Sequence, residues 1–182
     1  MRVAIFGGSF NPPHVAHQMV ALYVLETAPV DELWMVPAFQ HPFGKSLESF
    51  AHRLAMCEAA AAALGLRVRV SAIERDLGAR SRTLRTIRRL QQQFPEHTFS
   101  LVIGADLISE LATWYAGEEL QRTVPFIVVG RTGFDVPGKL ALPRLSSTEV
   151  RDALLAGRPV DGLVPGSVLD YIKAHNLYKG LA

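Results

Sequence analysis

Residues 2–8 read Arg2-Val3-Ala4-Ile5-Phe6-Gly7-Gly8, a short apolar run stopped by paired glycines. A continuous run, with no polar alternation, is what a strand buried on both faces requires. The pattern recurs at 32–36 before Pro37, at 67–71, at 99–103 before Gly104, and at 126–129 before Gly130. Helical patterns fall between these runs. Residues 15–26 carry Val20, Leu22 and Val24, and 47–64 hold an alanine stretch with Gly65 placed to cap it. Leu84, Ile87, Leu90 and Phe94 stand at helical spacing in 83–94, and two tail segments follow at 148–156 and 168–175. Strand and helix alternate, which predicts an α/β fold with a doubly wound, mostly parallel sheet and C-terminal helices. Pro125, Pro137, Gly138 and Pro143 mark loops around a late strand rather than a linker, so a single domain over 1–182 is expected, its helical part beginning near 146. Ligands of such sheets sit beyond the carboxyl ends of the strands.

Composition narrows the class. With 182 residues, 49% of them hydrophobic and 20% charged, the chain can bury a core without disulfides or structural metal. No apolar run approaches the ~18 residues of a membrane helix, and the start is too short for a secretory segment. Cys57 is the only cysteine, which excludes an internal disulfide and suits the cytoplasm. A net charge of +2 gives no sign of nucleic-acid binding. Fifteen arginines against four lysines fit either codon bias or anion recognition.

After the first strand comes Gly7-Gly8-Ser9-Phe10-Asn11-Pro12-Pro13-His14-Val15-Ala16-His17. It is neither a G-x-G-x-x-G fingerprint nor a P-loop. The glycines let backbone N–H groups approach an anion, and His14 and His17, three apart at a helix start, can face one bound group. Zinc would need a further ligand, and Cys57 sits mid-helix without a partner pattern. Late in the chain, Ser146-Ser147-Thr148-Glu149-Val150-Arg151 reads as a capped helix start with hydroxyls and an arginine. Two helix N-termini aimed at one cleft suit a polyphosphate.

Together the two stretches resemble the His-x-x-His and Ser-Ser-Thr-x-x-Arg motifs of the nucleotidyltransferase superfamily, and more narrowly the bacterial nicotinate-mononucleotide adenylyltransferases. Gly104-Ala105-Asp106, Trp114-Tyr115, Val128-Val129-Gly130-Arg131 and Leu177-Tyr178 match further family segments in order. The resemblance implies adenylyl transfer from ATP to nicotinate mononucleotide, giving deamido-NAD and pyrophosphate, with Mg²⁺ carried mainly on the ATP phosphates and no protein metal ligands. It implies that His14, His17 and Arg151 are catalytic. ATP would be bound by Gly7, Gly8, Ser9, Phe10, His14, His17, Gly104, Asp106, Ser147, Thr148 and Arg151. Lys45, Arg82, Thr83, Trp114, Tyr115 and Arg131 would meet the acceptor, with Trp114 stacked on the pyridine ring; residues 112–117 read as a loop or frayed helix end, which favours exposure of that ring.

Some positions depart from the family pattern. Asn11 stands where the family commonly has Asp, Ala16 replaces the glycine of His-x-Gly-His, Gln40-His41-Pro42-Phe43-Gly44-Lys45 replaces a Pro-Pro-His-Lys-like run, and Ser81-Arg82-Thr83 replaces Ser-Tyr-Thr. These changes leave nicotinamide mononucleotide and phosphopantetheine open as acceptors, and a non-catalytic nucleotide-binding module open as another class. Arg75, Arg80, Arg82, Arg85, Arg88 and Arg89 read chiefly as a solvated face, with Arg82 the candidate for an anionic acceptor. A homo-oligomer through the tail helix or exposed apolar residues is also left open.

Overall fold

The computed structural model describes residues 1–40, 46–78, 82–134 and 136–179. The elements run β1 (Arg2–Gly8), α1 (Val15–Thr27), β2 (Glu32–Pro37), α2 (Phe50–Ala62), β3 (Val68–Val70), α3 (Ile73–Leu77), α4 (Thr83–Gln93), β4 (Thr98–Gly104), a 3₁₀ segment (Ala105–Thr113), α5 (Gly117–Thr123), β5 (Phe126–Arg131), β6 (Ala141–Leu142), α6 (Ser147–Leu155) and α7 (Gly166–Ala174). The six strands lie in the order β3-β2-β1-β4-β5-β6, and every paired neighbour is parallel. The order reverses between β1 and β4, so the loops following those two strands flank the switch point where an α/β sheet opens a crevice.

The strand side chains divide by twos. Val3 and Ile5, Trp34 and Val36, and Phe99, Leu101 and Ile103 pack on one face with Leu84, Ile87 and Leu90 of α4. Ala4, Leu33, Met35, Val102 and Val129 pack on the other, with Ala21, Val24 and Leu25 of α1 and Cys57 of α2. A period of two with apolar residues in both phases explains why the strands read as unbroken runs. On α4 the inward stripe leaves Arg88 and Arg89 exposed, and Arg88 pairs with Glu119 of α5. Of the rest of this arginine group, Arg75 is exposed, Arg82 and Arg85 are half-buried, and Arg80 lies outside the described residues.

Four elements were not anticipated from the sequence: α3, the 3₁₀ segment, α5 and β6. Each of the two helices and the strand has seven residues or fewer, too short for a periodic pattern to stand out. Where a loop or frayed helix end is expected at 112–117, the 3₁₀ segment carries the chain through Thr113, and Ala116 turns into α5 at φ 51°. The helix expected at 47–64 is shorter. Ser49 caps it by accepting from the His52 N–H at 3.2 Å, so Leu47 and Glu48 stay outside. Two more boundaries move by a residue or two: α6 is capped at Ser146 and α7 starts after Pro165.

The tail returns to the sheet's ligand end. Val150 and Ala153 of α6 and Val168 and Ile172 of α7 pack with Met56 and Ala60 of α2. Leu177 and Tyr178 close that cluster, which brings the chain's last described turns beneath the loop that follows β1.

Candidate active site

The loop after β1 is held by residues from far along the chain. Phe10 is buried at φ 46°, its ring edge-on to Phe6 at 5.5 Å and to His17 at 4.9 Å. A Cβ on Gly8 would press the Phe10 ring at 3.1 Å, so the second glycine lets that ring lie close over the strand end. No protein atom lies within 4 Å of a Cβ built on exposed Gly7. The Asn11–Pro12 peptide is cis. Arg151 Nη1 donates to the Asn11 carbonyl at 2.7 Å and Ser147 Oγ to the Pro12 carbonyl at 2.8 Å. The Asn11 Oδ1 accepts from the Tyr178 hydroxyl at 2.9 Å and from the Glu48 N–H at 3.1 Å. Both partners are donors, so a neutral amide oxygen suffices at this position and no carboxylate is needed. The Ala16 methyl, in the other departure, is buried in the core.

His14 ends the loop and begins α1. Its backbone N–H donates to His17 Nδ1 at 3.0 Å, which places the lone pair of His17 on Nδ1 and its proton on Nε2. The rings stack with centroids 3.7 Å apart. Burial lowers the His14 pKa to about 4, with the Arg131 charge acting in the same direction. Burial, then His14 and Arg131, hold His17 well below the ordinary imidazole value. Both rings are therefore neutral near pH 7. His14 is enclosed and its Nδ1 has no partner, whereas His17 is partly exposed.

Across the switch point, Gly104 ends β4 and Asp106 opens the 3₁₀ segment. A Cβ on Gly104 would collide with Asp106 Oδ1, so the glycine lets the carboxylate fold back over the strand end. Asp106 Oδ2 accepts from Arg131 Nη1 at 2.7 Å, while Oδ1 is buried without a partner. Arg131, read from the sequence as an acceptor residue, thus stands beside Asp106, close enough to act electrostatically on both histidines.

At α6 the Ser146 hydroxyl accepts from the Glu149 N–H at 3.2 Å, and the Glu149 carboxylate accepts from the Ser146 N–H at 2.7 Å. This capping box satisfies two N–H groups at that helix start, those of Ser146 and Glu149, and leaves those of Ser147 and Thr148 available to an anion. Arg151 Nη2 also donates to Thr148 Oγ1 at 3.1 Å. The serine-threonine-arginine motif therefore braces the β1 loop as well as forming a helix N-terminus.

The other candidates stand at the start of α4 and between the 3₁₀ segment and α5. Thr83 is the first residue of α4, and Arg82 precedes it in extended backbone. Trp114 is half-buried and packs against the core face beneath α4, so its ring is less open than the loop reading implied. Tyr115 is 51% exposed, with the Arg85 guanidinium 5.1 Å above its ring. Lys45 lies outside the described residues.

Two buried charges escaped the sequence reading. Arg53 is 1% exposed and donates to the carbonyls of Glu48 at 2.9 Å, Ser9 at 2.9 Å and Phe39 at 3.1 Å. Glu74 is 8% exposed and accepts from the Phe39 N–H at 2.9 Å and the Thr86 hydroxyl at 2.8 Å. A signal for the first was present: Arg53, Met56, Cys57 and Ala60 share the i, i+3, i+4, i+7 spacing of one buried stripe. Glu74 lies in a five-residue helix, where no such periodicity can form.

Parallel strands in this order, a histidine pair after the β1 glycines and a capped serine-threonine helix start at α6 define a nucleotidyltransferase type of site. Consistent with it, the cytidylyltransferase-like family model matches residues 5–153. A relative from Anaeromyxobacter sp. (strain K), named "Probable nicotinate-nucleotide adenylyltransferase", is 47% identical, covering 98% of this chain and 97% of its own. One of the same name from Myxococcus xanthus is 40% identical over 98% and 95%. In three dimensions the chain resembles the Plasmodium falciparum nicotinic acid mononucleotide adenylyltransferase complexed with NaAD, at a TM-score of 0.83 and 24% identity over 97% of each chain, a likeness of fold. The chain belongs to the nicotinate-nucleotide adenylyltransferases of the cytidylyltransferase-like family.

Proposed function

We propose that the protein transfers the adenylyl group of ATP to nicotinate mononucleotide, releasing pyrophosphate and forming deamido-NAD. The observation that carries the reading is the pair of neutral imidazoles between the β1 loop and the Asp106–Arg131 pair, in a chain 47% identical to a relative of that name. An acceptor phosphate oxygen attacks the α-phosphorus, the bond to the bridging oxygen breaks, and that oxygen leaves with pyrophosphate. Such a displacement asks the protein for alignment and charge stabilisation, not a covalent intermediate.

His17 Nε2–H points its proton away from the backbone bond at Nδ1 and donates to the phosphate oxygens that gain charge, with His14 beside it. Neutral donors keep this stabilisation independent of protonation above the pKa of about 4 found for His14. Gly7, without a protein neighbour where its side chain would be, gives the triphosphate access to backbone. Ser9 and Phe10 shape that loop, and Gly8 lets it close. Free N–H groups at the start of α6, with Ser147, Thr148 and Arg151, hold the pyrophosphate end. Gly104 admits Asp106, whose unpartnered Oδ1 accepts from a ribose hydroxyl of the nucleotide. Thr83, Trp114 and Tyr115 receive the pyridine ring and its carboxylate, with Arg82 and Lys45 supplying positive charge, while Arg131, paired with Asp106, stands toward the reacting phosphates.

Among the described residues no three His, Cys, Asp or Glu side chains gather as a metal cage. The donor set suits a Mg²⁺ ion carried on phosphate oxygens, which needs few protein ligands and supplies charge neutralisation there. Among the described residues no helix is long and apolar enough to cross a membrane.

Pyrophosphate release with ATP, Mg²⁺ and a panel of acceptors tests the reading. Nicotinate mononucleotide is expected to give the highest kcat/KM and a product with the mass of deamido-NAD. Preference for nicotinamide mononucleotide or phosphopantetheine, or turnover with none of them, overturns it.

A further inference from the structure

Arg53 and Glu74 are buried and carry opposite charges, yet they do not pair directly. They take the two sides of one residue's backbone. Phe39 gives its carbonyl to Arg53 at 3.1 Å and its N–H to Glu74 at 2.9 Å. Phe39 follows the C-terminal end of β2. The second Glu74 oxygen reaches Thr86 Oγ1 at 2.8 Å, in the first turn of α4, and Thr86 Oγ1 also lies 3.2 Å from the Arg82 carbonyl. A carboxylate suits this place because both of its oxygens must accept. The arrangement ties the chain leaving β2 to the start of α4, the element that presents Arg82 and Thr83. Arg53 extends the tie to Ser9 in the loop after β1. Core packing alone explains none of it, since an apolar residue of similar volume would fill either site without desolvating a charge.

We propose that Glu74 is a positioning residue for the acceptor, fixing the chain after β2 against the first turn of α4 through Phe39 and Thr86, with Arg53 holding the same residue from the opposite side. The inference rests on the acceptor assignment given above. Glu74 touches no candidate nucleotide-binding group on the β4 and β5 side, so its loss acts on one substrate. The residue also admits a specific rescue. A glutamine at 74 can accept from the Phe39 N–H and donate to Thr86 Oγ1, whose own proton can turn to the Arg82 carbonyl.

The test is steady-state kinetics of Glu74→Ala and Glu74→Gln with ATP and nicotinate mononucleotide, beside thermal melting and calorimetric titration of the mononucleotide. Glu74→Ala is expected to raise the acceptor KM by about tenfold or more while the ATP KM stays within about twofold. Glu74→Gln is expected to recover most of that loss. A lowered Tm with both KM values unchanged, or an equal rise in both, overturns the proposal. Should Glu74→Ala fail to fold, Thr86→Val removes the α4 anchor alone. A rise of about threefold in acceptor KM is then expected, and no change overturns the proposal. An unaltered protein that neither binds nor turns over the mononucleotide defeats the functional reading, whereas an active one with an unmoved KM ratio in the variants defeats this inference alone.

Discussion

The loop after β1 and the chain after β2 follow neighbouring parallel strands, yet they are held in different ways. The first is fixed through its own backbone and side chains by residues 135 to 167 positions away: Ser147, Arg151 and Tyr178. The second is fixed at Phe39, by Arg53 and Glu74 from within the first half of the chain. The side assigned to ATP is therefore complete only with α6 and the tail in place on α2. The side assigned to the acceptor depends on a short tie between β2, α2, α3 and α4. Chemistry that must place a phosphate within a fraction of an ångström benefits from the first arrangement. Arg53 joins the two by also donating to the Ser9 carbonyl, so choice among acceptors can change most independently through Glu74.

The largest expected effect comes from breaking the ATP side at its centre. His17→Ala removes the Nε2–H donor and is expected to lower kcat by about 10²–10³-fold, the usual loss for one donor to developing charge. The ATP KM should rise only a few-fold, as steady-state kinetics will show. Equal loss in kcat and ATP affinity would make His17 a binding group only. Acid titration addresses the same residues. The unfolded chain takes up a proton on His14 near 6.5, the folded chain only near 4, so stability is lost as pH falls through that window. The loss from His14 is on the order of 3 kcal/mol, and denaturant melts at successive pH values should show it shrinking in a His14→Asn variant.

Asp106→Ala probes the facing wall. It removes an acceptor for the nucleotide and frees Arg131, so the ATP KM is expected to rise about tenfold, as for a lost charge-assisted bond, with the acceptor KM moving less than threefold. The smallest effect is expected at the tail. Tyr178→Phe deletes the hydroxyl donated to Asn11 and should cost about 1 kcal/mol of stability, read from urea midpoints. Asn11 keeps the Glu48 N–H, which is why the cost is modest.

The contrast also explains what could be read from residues alone. The strands were legible because burial on both faces leaves long apolar runs, and α4 because Leu84, Ile87 and Leu90 alternate with arginines. The histidines and the serine-threonine-arginine stretch were legible because each motif is contiguous in sequence. That Ser147 and Arg151 reach the Asn11 and Pro12 carbonyls was not, since those bonds join the two ends of the chain. Glu74 and Phe39 were hidden for the same reason: one partner is a backbone group, which leaves no residue type to recognise. Trp114 was read as open because its neighbours look loop-like, but the 3₁₀ segment carries it onto the core face.

The central claim is that two neutral imidazoles stand ready on the ATP side before substrate arrives. Nitrogen-15 NMR of histidine-labelled protein, titrated from pH 5 to 8, tests it directly. The account predicts a His17 ring protonated on Nε2 and bare on Nδ1 throughout, with no titration near 6.5. A His17 that titrates near 6.5, or that carries its proton on Nδ1, would contradict it.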